Sequence, residues 1–356
     1  MKLIHCSDIH LDSPLCSRLP GRLASERRSE LRSAFAALLR RAEGEGARAV
    51  IVAGDLFDGS PSPAGVNFVI GEVAAHPGVD LLYLPGNHDT AADSLLEESA
   101  LPENLHIFPA GFSTVDYDGV VIGAVRGSLS EYEPRFDPSR KNILVLHGQI
   151  ADSATGDDSI VPRALADHAI DYAALGHIHS YKSGKIDDRG IWCYSGCPAA
   201  RGFDECGERG FVLLETDTPS GKINSEFIPL GGRVFHDISL PLDGISDVHA
   251  LRERAQAALT DIQSDDILRF TLTGSRDPSL SSYAEYLKSA FGGIYAHFEV
   301  KDRSRIAIDP ADYEGDISVR GEFVRLVFAN ESLSDEERDL LLSIGLRTLD
   351  GERPEH

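Results

Sequence analysis

The sequence predicts an α/β layered domain followed by a smaller α+β domain. From residue 1 to about 230, short apolar runs alternate with helical patterns, the order expected of strands covered by helices. Beyond residue 231 the alternation repeats on a smaller scale. A length of 356 residues also suggests two domains, or one large domain with an appendage.

The runs LIHCS (3–7), AVIVAG (49–54), LLYLPG (81–86), ILVLHG (143–148) and YAALGH (172–177) read as buried strands ending in polar or glycine-rich turns. Between Ser25 and Ala42, Leu31, Phe35, Leu38 and Leu39 recur at helical spacing, with Gly44 and Gly46 available to end the helix. Residues 104–126 and 190–230 hold strands separated only by short turns and read as antiparallel additions. Gly231–Gly232 marks a joint, so the first domain is expected over 1–230 and the second over 231–320. In the second, VFHDISL, a helix from about 247 to 260, ILRFTLTG, a helix from about 280 to 290 and IYAHFEV form a β-α-β-α-β run. The C-terminal segment, 321–356, is expected to hold one short helix. Ser334 and Glu337 form a capping box before LLLSIGL, and Gly345 is its expected end.

Composition narrows the class. With 42% hydrophobic and 26% charged residues, the chain is an ordinary soluble globular protein. Its 34 Lys+Arg against 57 Asp+Glu give a net charge of −23, which argues against a broad basic surface for nucleic acid. An enzyme that meets phosphate through bound metal is not excluded by that charge. Residues 1–230 carry −13 and residues 231–356 carry −10, so there is no detached acidic arm. The five cysteines (6, 16, 193, 197, 206) contain no CxxC pair, which favours a reducing compartment and buried thiols over a thiolate metal site. The start MKLIHCSDIHLD lacks the apolar core of a signal peptide, and no run approaches the ~18 apolar residues of a membrane span. A cytoplasmic protein without membrane contact is expected.

Residue types able to ligate metals gather where the strands end. Asp8 and His10 follow the first as D-x-H. Asp55 and Asp58 follow the second, in GDLFD, and Asn87, His88 and Asp89 follow the third, in GNHD. His147 closes ILVL, and His177 and His179 follow YAAL as GHIH. In open α/β sheets, sites form beyond the carboxyl ends of strands. Five strands delivering Asp, Asn or His to one edge predict a metal centre. Residues two apart on extended chain face the same way, so Asp8/His10 and His177/His179 can each present both side chains. Imidazole, carboxylate and amide oxygen suit Mn²⁺, Fe²⁺ or Zn²⁺. Two such ions about 3.5–4 Å apart clamp a phosphoryl centre. They would also leave the pocket locally cationic inside an acidic chain.

These blocks resemble the five-block signature of calcineurin-like metallophosphoesterases and cover roughly residues 1–180. The resemblance implies a four-layer β-sandwich flanked by helices. It implies one metal held by Asp8, His10, Asp55 and His179, and a second held by Asp55, Asn87, His147 and His177. His88 would be the unliganded catalytic histidine that steadies the transition state or protonates the leaving oxygen. Asp58 would orient it.

Within that superfamily, CSDIHLDSP (6–14), GDLFDGSPSP (54–63), YSGCP (194–198) with Phe203 and Glu205 after it, and the small following domain resemble SbcD-type DNA repair exonucleases. Gly59 and Ser60 stand where phosphoprotein phosphatases carry an arginine. The resemblance implies an exo- or endonuclease that hydrolyses DNA phosphodiesters by attack of a metal-bound hydroxide. Mn²⁺ is the expected metal, with Fe²⁺, Zn²⁺ and Mg²⁺ as alternatives. The second domain would cap the cleft, and a separate coiled-coil ATPase would be the partner, because the chain has no GxxxxGK[ST] loop. A homodimer is left open. Arg126, Arg135, Arg140, Lys141, Lys182, Lys185 and Arg201 are the cations expected near the cleft. Two other readings stand beside this one. The net charge favours a small-molecule phosphodiesterase acting on cyclic nucleotides or glycerophosphodiesters. A scaffold or regulatory subunit with an inactive metal site is the other.

Overall fold

A computed structural model describes all residues except 16–18, 90–95, 97–98, 154–155, 157, 278–279, 281 and 350–356, and all described side chains except those of residues 335, 336, 339 and 347. Cys16 lies outside the described residues. The chain separates into two compact units, Met1–Val234 and Phe235–His356.

The first unit begins with β1 (Lys2–Cys6), α1 (Gly21–Glu45), β2 (Ala47–Ala53), α2 (Pro63–Ala75), β3 (Asp80–Leu84), β4 (Leu105–Ile107), β5 (Gly111–Tyr117) and β6 (Val120–Arg126). It continues with β7 (Lys141–His147), β8 (Gln149–Ile150), β9 (Ser159–Ile160), α3 (Pro162–Leu165) and β10 (Tyr172–Gly176). β11 (Lys182–Lys185), β12 (Ile191–Tyr194), β13 (Gly210–Glu215) and β14 (Asn224–Pro229) complete it.

Two six-stranded sheets result, ordered β14-β13-β1-β2-β3-β4 and β11-β12-β10-β7-β6-β5. β1, β2 and β3 run parallel in the first, as do β6, β7, β10 and β12 in the second. Antiparallel strands sit at the margins: β13 and β14 in one sheet, β5 and β11 in the other.

Side-chain alternation explains why the strands read as unbroken apolar runs. Along β2, Ala49, Ile51 and Ala53 face the second sheet, packing with Ile122, Ile143, Val145 and Tyr172. Val50 and Val52 face the opposite way, onto Leu31, Phe35, Leu38 and Leu39 of α1 and Val66, Val69 and Val73 of α2. Both faces are dry, so no polar alternation survives. The outer face of the second sheet is covered by Ile160 of β9, Leu165 of α3 and Ile170 of the loop after it. The layers are therefore helix, sheet, sheet and a thin helical cover. Gly46, with φ of 67°, ends α1 by donating to Ala42 and Glu43 carbonyls. Ser62 caps α2 by accepting from Gly65 N, and Pro63 holds the first helical position.

In the second unit, β15 (Phe235–Pro241), β16 (Ile267–Thr273) and β18 (His297–Asp302) form a parallel sheet in the order β15-β16-β18. The short pair β17 (Ser275–Arg276) and β19 (Arg305–Ile306) lies beside it in sequence. Helices α4 (Val248–Ala257) and α5 (Tyr283–Phe291) bury Leu251, Ala255, Leu287 and Phe291 against Leu240, Leu268, Phe270 and Leu272. The C-terminal segment departs from the sequence expectation. It holds two helices, α6 (Val319–Ala329) and α7 (Asp335–Leu349), packed through Val324, Val327, Leu342 and Leu346. Gly345 does not end α7. A Cβ at that position would overlap the Phe323 ring of α6, so this glycine permits helix-to-helix approach inside a continuing helix. The Ser334–Glu337 capping box is formed: Glu337 Oε2 accepts from Ser334 N at 2.9 Å, and Ser334 Oγ accepts from Glu337 N at 3.3 Å. Among the described residues, no helix is long and apolar enough to cross a membrane.

Candidate metal centre

Asp8, Asp55, Asn87, His147 and His177 each stand at or just past the carboxyl end of a strand, in β1, β2, β3, β7 and β10 respectively. The loops after β1 and β2 continue the parallel pairing of their strands. Asp8 N donates to Gly54 O at 3.0 Å, His10 N to Asp55 O at 3.0 Å and Asp58 N to Leu11 O at 3.0 Å. The other loops are tied in by the acidic side chains themselves. His177 N donates to Asp8 Oδ1 at 2.9 Å, and His88 N donates to Asp55 Oδ1 at 3.0 Å. Asp8, His10, Asp55 and His177 hold left-handed φ values of 52°, 50°, 52° and 101°. Such conformations cost of order 1–3 kcal/mol each and persist where hydrogen bonds over-determine them, as these do.

Two glycines explain the motifs GD and GH. A Cβ on Gly54, itself at φ of 92°, would overlap the His147 ring. One on Gly176 would overlap Ala53 O and press on His147. The first and second sheets meet here at backbone distance, so a histidine from one can reach an aspartate on the other.

The donor atoms converge without saturating one another. Asp8, His10 and His179 form one compact group, and Asp8, Asp55 and His147 form another. His147 Nε2 is 3.4 Å from Asp55 Oδ2, His10 Nε2 is 3.7 Å from it, and His179 Nε2 is 3.8 Å from Asp8 Oδ1. Two donors each ~2.1 Å from a tetrahedral ion stand about 3.4 Å apart, so these spacings fit shared divalent cations. Outer contacts fix the rings. His147 Nδ1 meets Ala53 O at 2.9 Å, and His179 Nδ1 meets Glu205 Oε1 at 2.7 Å, turning both Nε2 atoms inward. Asn87 Oδ1 lies 2.9 Å from His147 Nε2. His177 is placed edge-on to His147, with ring centroids 5.5 Å apart, and joins neither compact group.

Beside this cluster, Asp58 Oδ1 holds His88 Nδ1 at 3.2 Å, while Asp58 Oδ2 accepts from Ser13 Oγ at 2.6 Å. His88 is the open member, 49% exposed. Asp58 does not cap α2, because Ser62 does. Asp89 instead accepts backbone N–H groups from Leu56, Phe57 and Gly86 and braces the loops.

Charge is partitioned by these contacts. Burial opposes ionisation of Asp55, but the His147 hydrogen bond and charge outweigh it and hold the carboxyl down at about 2. Burial likewise works against His147 as a cation, yet Asp55 and Asp8 raise it to about 9. His10 goes the other way: burial and then the Arg201 charge lower it to about 3. Burial also raises Asp8.

The family profile described as calcineurin-like phosphoesterase matches residues 1–181. The chain belongs to that family. Metallophosphoesterases of this kind use divalent metal ions, and the donor set above is of the type they require. The phosphoesterase is 27% identical over 248 residues to YhaO of Bacillus subtilis, an uncharacterized metallophosphoesterase, covering 64% of this chain and 60% of that one. It is 24% identical over 355 residues to the DNA double-strand break repair protein Mre11 of Haloferax volcanii, covering 94% of this chain and 76% of that protein. With Mre11 of Methanopyrus kandleri the identity is 23% over 262 residues, covering 64% and 56%. The chain thus spans less than two thirds of YhaO and of the Methanopyrus protein. Among solved structures, TT1561 of Thermus thermophilus aligns with a TM-score of 0.42 at 14% identity, covering 65% of this chain and 99% of that one. A dimetal phosphatase from Danio rerio aligns with a TM-score of 0.41 at 12% identity, covering 60% and 92%.

Three of the cations expected near the cleft of the phosphoesterase, Arg140, Lys141 and Lys185, are elsewhere, whereas Arg126 and Lys182 stand at the carboxyl-end edge of the second sheet. Arg140 pairs with Asp116, and Lys141 Nζ donates to Thr216 O, both at the opening of β7. That is six residues, about 20 Å of strand, before His147. Lys185 pairs with Ile191 at the far end of β12. Arg201 does reach the site: its Nη1 is 3.6 Å from Asp58 Oδ2. Sequence reasoning missed Ser13 and Asp12. Asp12 accepts from Ser62 N at 3.0 Å, Ser62 Oγ at 2.7 Å and Arg32 Nη2 at 2.7 Å, fixing the loop that carries Asp55 and Asp58. The alternation Asp8, His10, Asp12 was the available signal.

Proposed function

We propose that this phosphoesterase is a two-metal phosphodiesterase of the SbcD-type branch, acting on DNA as an exo- or endonuclease. The observation that carries the hydrolytic reading is the convergence of Asp8, His10, Asp55, His147 and His179 beside the open His88–Asp58 pair. Asp8, His10, Asp55 and His179 would hold one ion, and Asp55, Asn87, His147 and His177 the other. When bound, such ions supply Lewis-acid polarisation of phosphoryl oxygens and activation of water. The chain's own residues do the rest. Ala53 O and Glu205 hold Nδ1 of His147 and His179, leaving each Nε2 aimed at the ions these rings would bind. Asp58, in contact with His88 Nδ1, would orient it, and His88 would donate a proton to the leaving oxygen.

The DNA assignment is supported by the two Mre11 relatives, one of which matches nearly the whole chain. It is supported also by Gly59 and Ser60 after Asp58, where a monoester clamp would need an arginine. Under this reading Mn²⁺ is the working metal, and the site acts in the cytoplasm. Leu326, Leu340 and Ile344 on α6 and α7 are exposed, which supports docking of a partner such as a coiled-coil ATPase. The test is a panel with Mn²⁺: linear duplex DNA, single strands, a chromogenic phosphodiester and a phosphomonoester. Cleavage of DNA is expected. Turnover of the small diester alone, with DNA untouched at low salt, overturns the nuclease assignment in favour of a small-molecule phosphodiesterase.

A further inference from the structure

Arg201 occupies a position that no part of the reading above uses. Its guanidinium lies between two pairs from different parts of the chain. On one edge, Nε and Nη2 donate to Glu205 Oε1 at 3.1 and 2.9 Å, the same oxygen that meets His179 Nδ1. Its backbone N donates to Glu205 Oε2 at 2.6 Å, so Arg201 engages both oxygens of that carboxylate. On the other edge, Nη1 faces Asp58 Oδ2 at 3.6 Å, while Asp58 Oδ1 carries His88. The side chain is 19% exposed, and Asp58 and Glu205 are 20% and 3% exposed. Nη2 also lies 3.0 Å from His179 Nδ1, so the contacts run from His179 and Glu205 through Arg201 to Asp58 and His88.

We infer that Arg201 is a positioning residue that ties the His88–Asp58 pair to the metal-facing His179. The planar fork suits this task. Two nitrogens on one edge engage Glu205 and leave the third for Asp58, a geometry that a lysine's single ammonium cannot reproduce. Ser13 anchors Asp58 from one side only, so without Arg201 the carboxylate can turn about that bond and release His88. The effect on chemistry is indirect, since Arg201 acts through the side chains it holds, Asp58 above all, and touches no reacting atom.

This inference rests on the phosphoesterase reading proposed above, and the experiment separates the two. Arg201→Met and Arg201→Lys are compared with wild type, Asp58→Asn and the double variant Arg201→Met/Asp58→Asn, all loaded with Mn²⁺. Loss of an outer partner typically lowers activity about 10–100-fold. Arg201→Met is expected to lose kcat on that scale, with KM within about twofold and metal content equal to wild type. Lysine is expected to restore little of the loss. The double variant should be no worse than Asp58→Asn, since two residues acting in series are not additive. A readout independent of turnover is the imidazole proton signal of ¹⁵N-labelled His88, recorded with diamagnetic Zn²⁺ in place of paramagnetic Mn²⁺; it is expected in wild type and lost in Arg201→Met. Additive losses, a rise in KM alone, loss of metal along with activity, or an unchanged His88 signal would each overturn the inference. If wild type turns over no phosphoester at all, the phosphoesterase reading falls first. Wild-type turnover with an indifferent Arg201→Met defeats only the role of Arg201.

Discussion

His10 Nε2 stands 3.3 Å from His179 Nε2. These two ring nitrogens come from residues 169 positions apart and face each other across the site. Glu205 occupies the far nitrogen of His179, and burial with the Arg201 charge keeps His10 neutral. In the metal-free chain the two nitrogens can share a proton; with both unprotonated they offer two donors to one cation, with Asp8 and Asp55 alongside.

Divalent metal should therefore stabilise the fold. A ligand at 100 times its Kd adds about 2.7 kcal/mol per site. Saturating Mn²⁺ is expected to raise the melting temperature in scanning calorimetry, and EDTA to reverse it. His179→Ala should remove most of the share that comes from the one ion it would hold. A melting temperature indifferent to Mn²⁺, Fe²⁺, Zn²⁺ and Mg²⁺ alike would sink the metal centre.

His88 is the exposed partner of Asp58 and belongs to neither metal-facing group that contains Asp8. His88→Ala is expected to keep its metal content and lose about 10²–10⁴ in kcat, the range of general acid–base catalysis. Metal analysis and single-turnover kinetics on the same preparation check both halves. Full activity in the variant would remove the proton-donating role.

Much of this site was legible from sequence alone, because its signals are local. An apolar run covered on both faces ends in glycine and then a ligating residue, as in GD, GN and GH, and each block is complete within a few residues. The contacts of Arg201, Ser13 and Asp12 are not local. Their partners Asp58 and Ser62 lie 143, 45 and 50 positions away and meet them only through the paired loops. Gly345 failed for the complementary reason. A glycine after an apolar run marks a helix end in sequence, whereas here the neighbouring ring of Phe323 sets the requirement. Arg140 and Lys141 failed because nearness in sequence to His147 is distance along an extended strand.

Gly176 is the most constrained point between the sheets. Alanine there would overlap Ala53 O, a backbone atom that cannot rotate away. Overpacking of a tight interior costs about 1–3 kcal/mol. Gly176→Ala should lose at least that in urea unfolding and bind metal more weakly, because His147 is pressed by the same Cβ. Gly71→Ala on α2, where a Cβ meets nothing, is the control and should be neutral or slightly stabilising. Equal stability of the two variants would refute the account of sheet contact.

Glu205 should leave a mark on acid stability of the metal-free protein. Burial alone would raise its carboxyl, but the His179 hydrogen bond and then the Arg201 charge outweigh it and hold it at about 2, below its ordinary 4.5. A carboxylate depressed in the folded state binds protons more readily when unfolded. Its contribution is therefore fully present above about pH 4.5 and is lost as pH falls toward about 2. The shift corresponds to roughly 3 kcal/mol over that window. Glu205→Gln should be less stable than wild type at pH 7 in EDTA, and the difference should shrink steadily between about pH 4.5 and about pH 2.5. Urea unfolding at half-unit pH steps measures it. A difference that stays constant across the window would show that Glu205 contributes by packing and neutral hydrogen bonding, not by its charge.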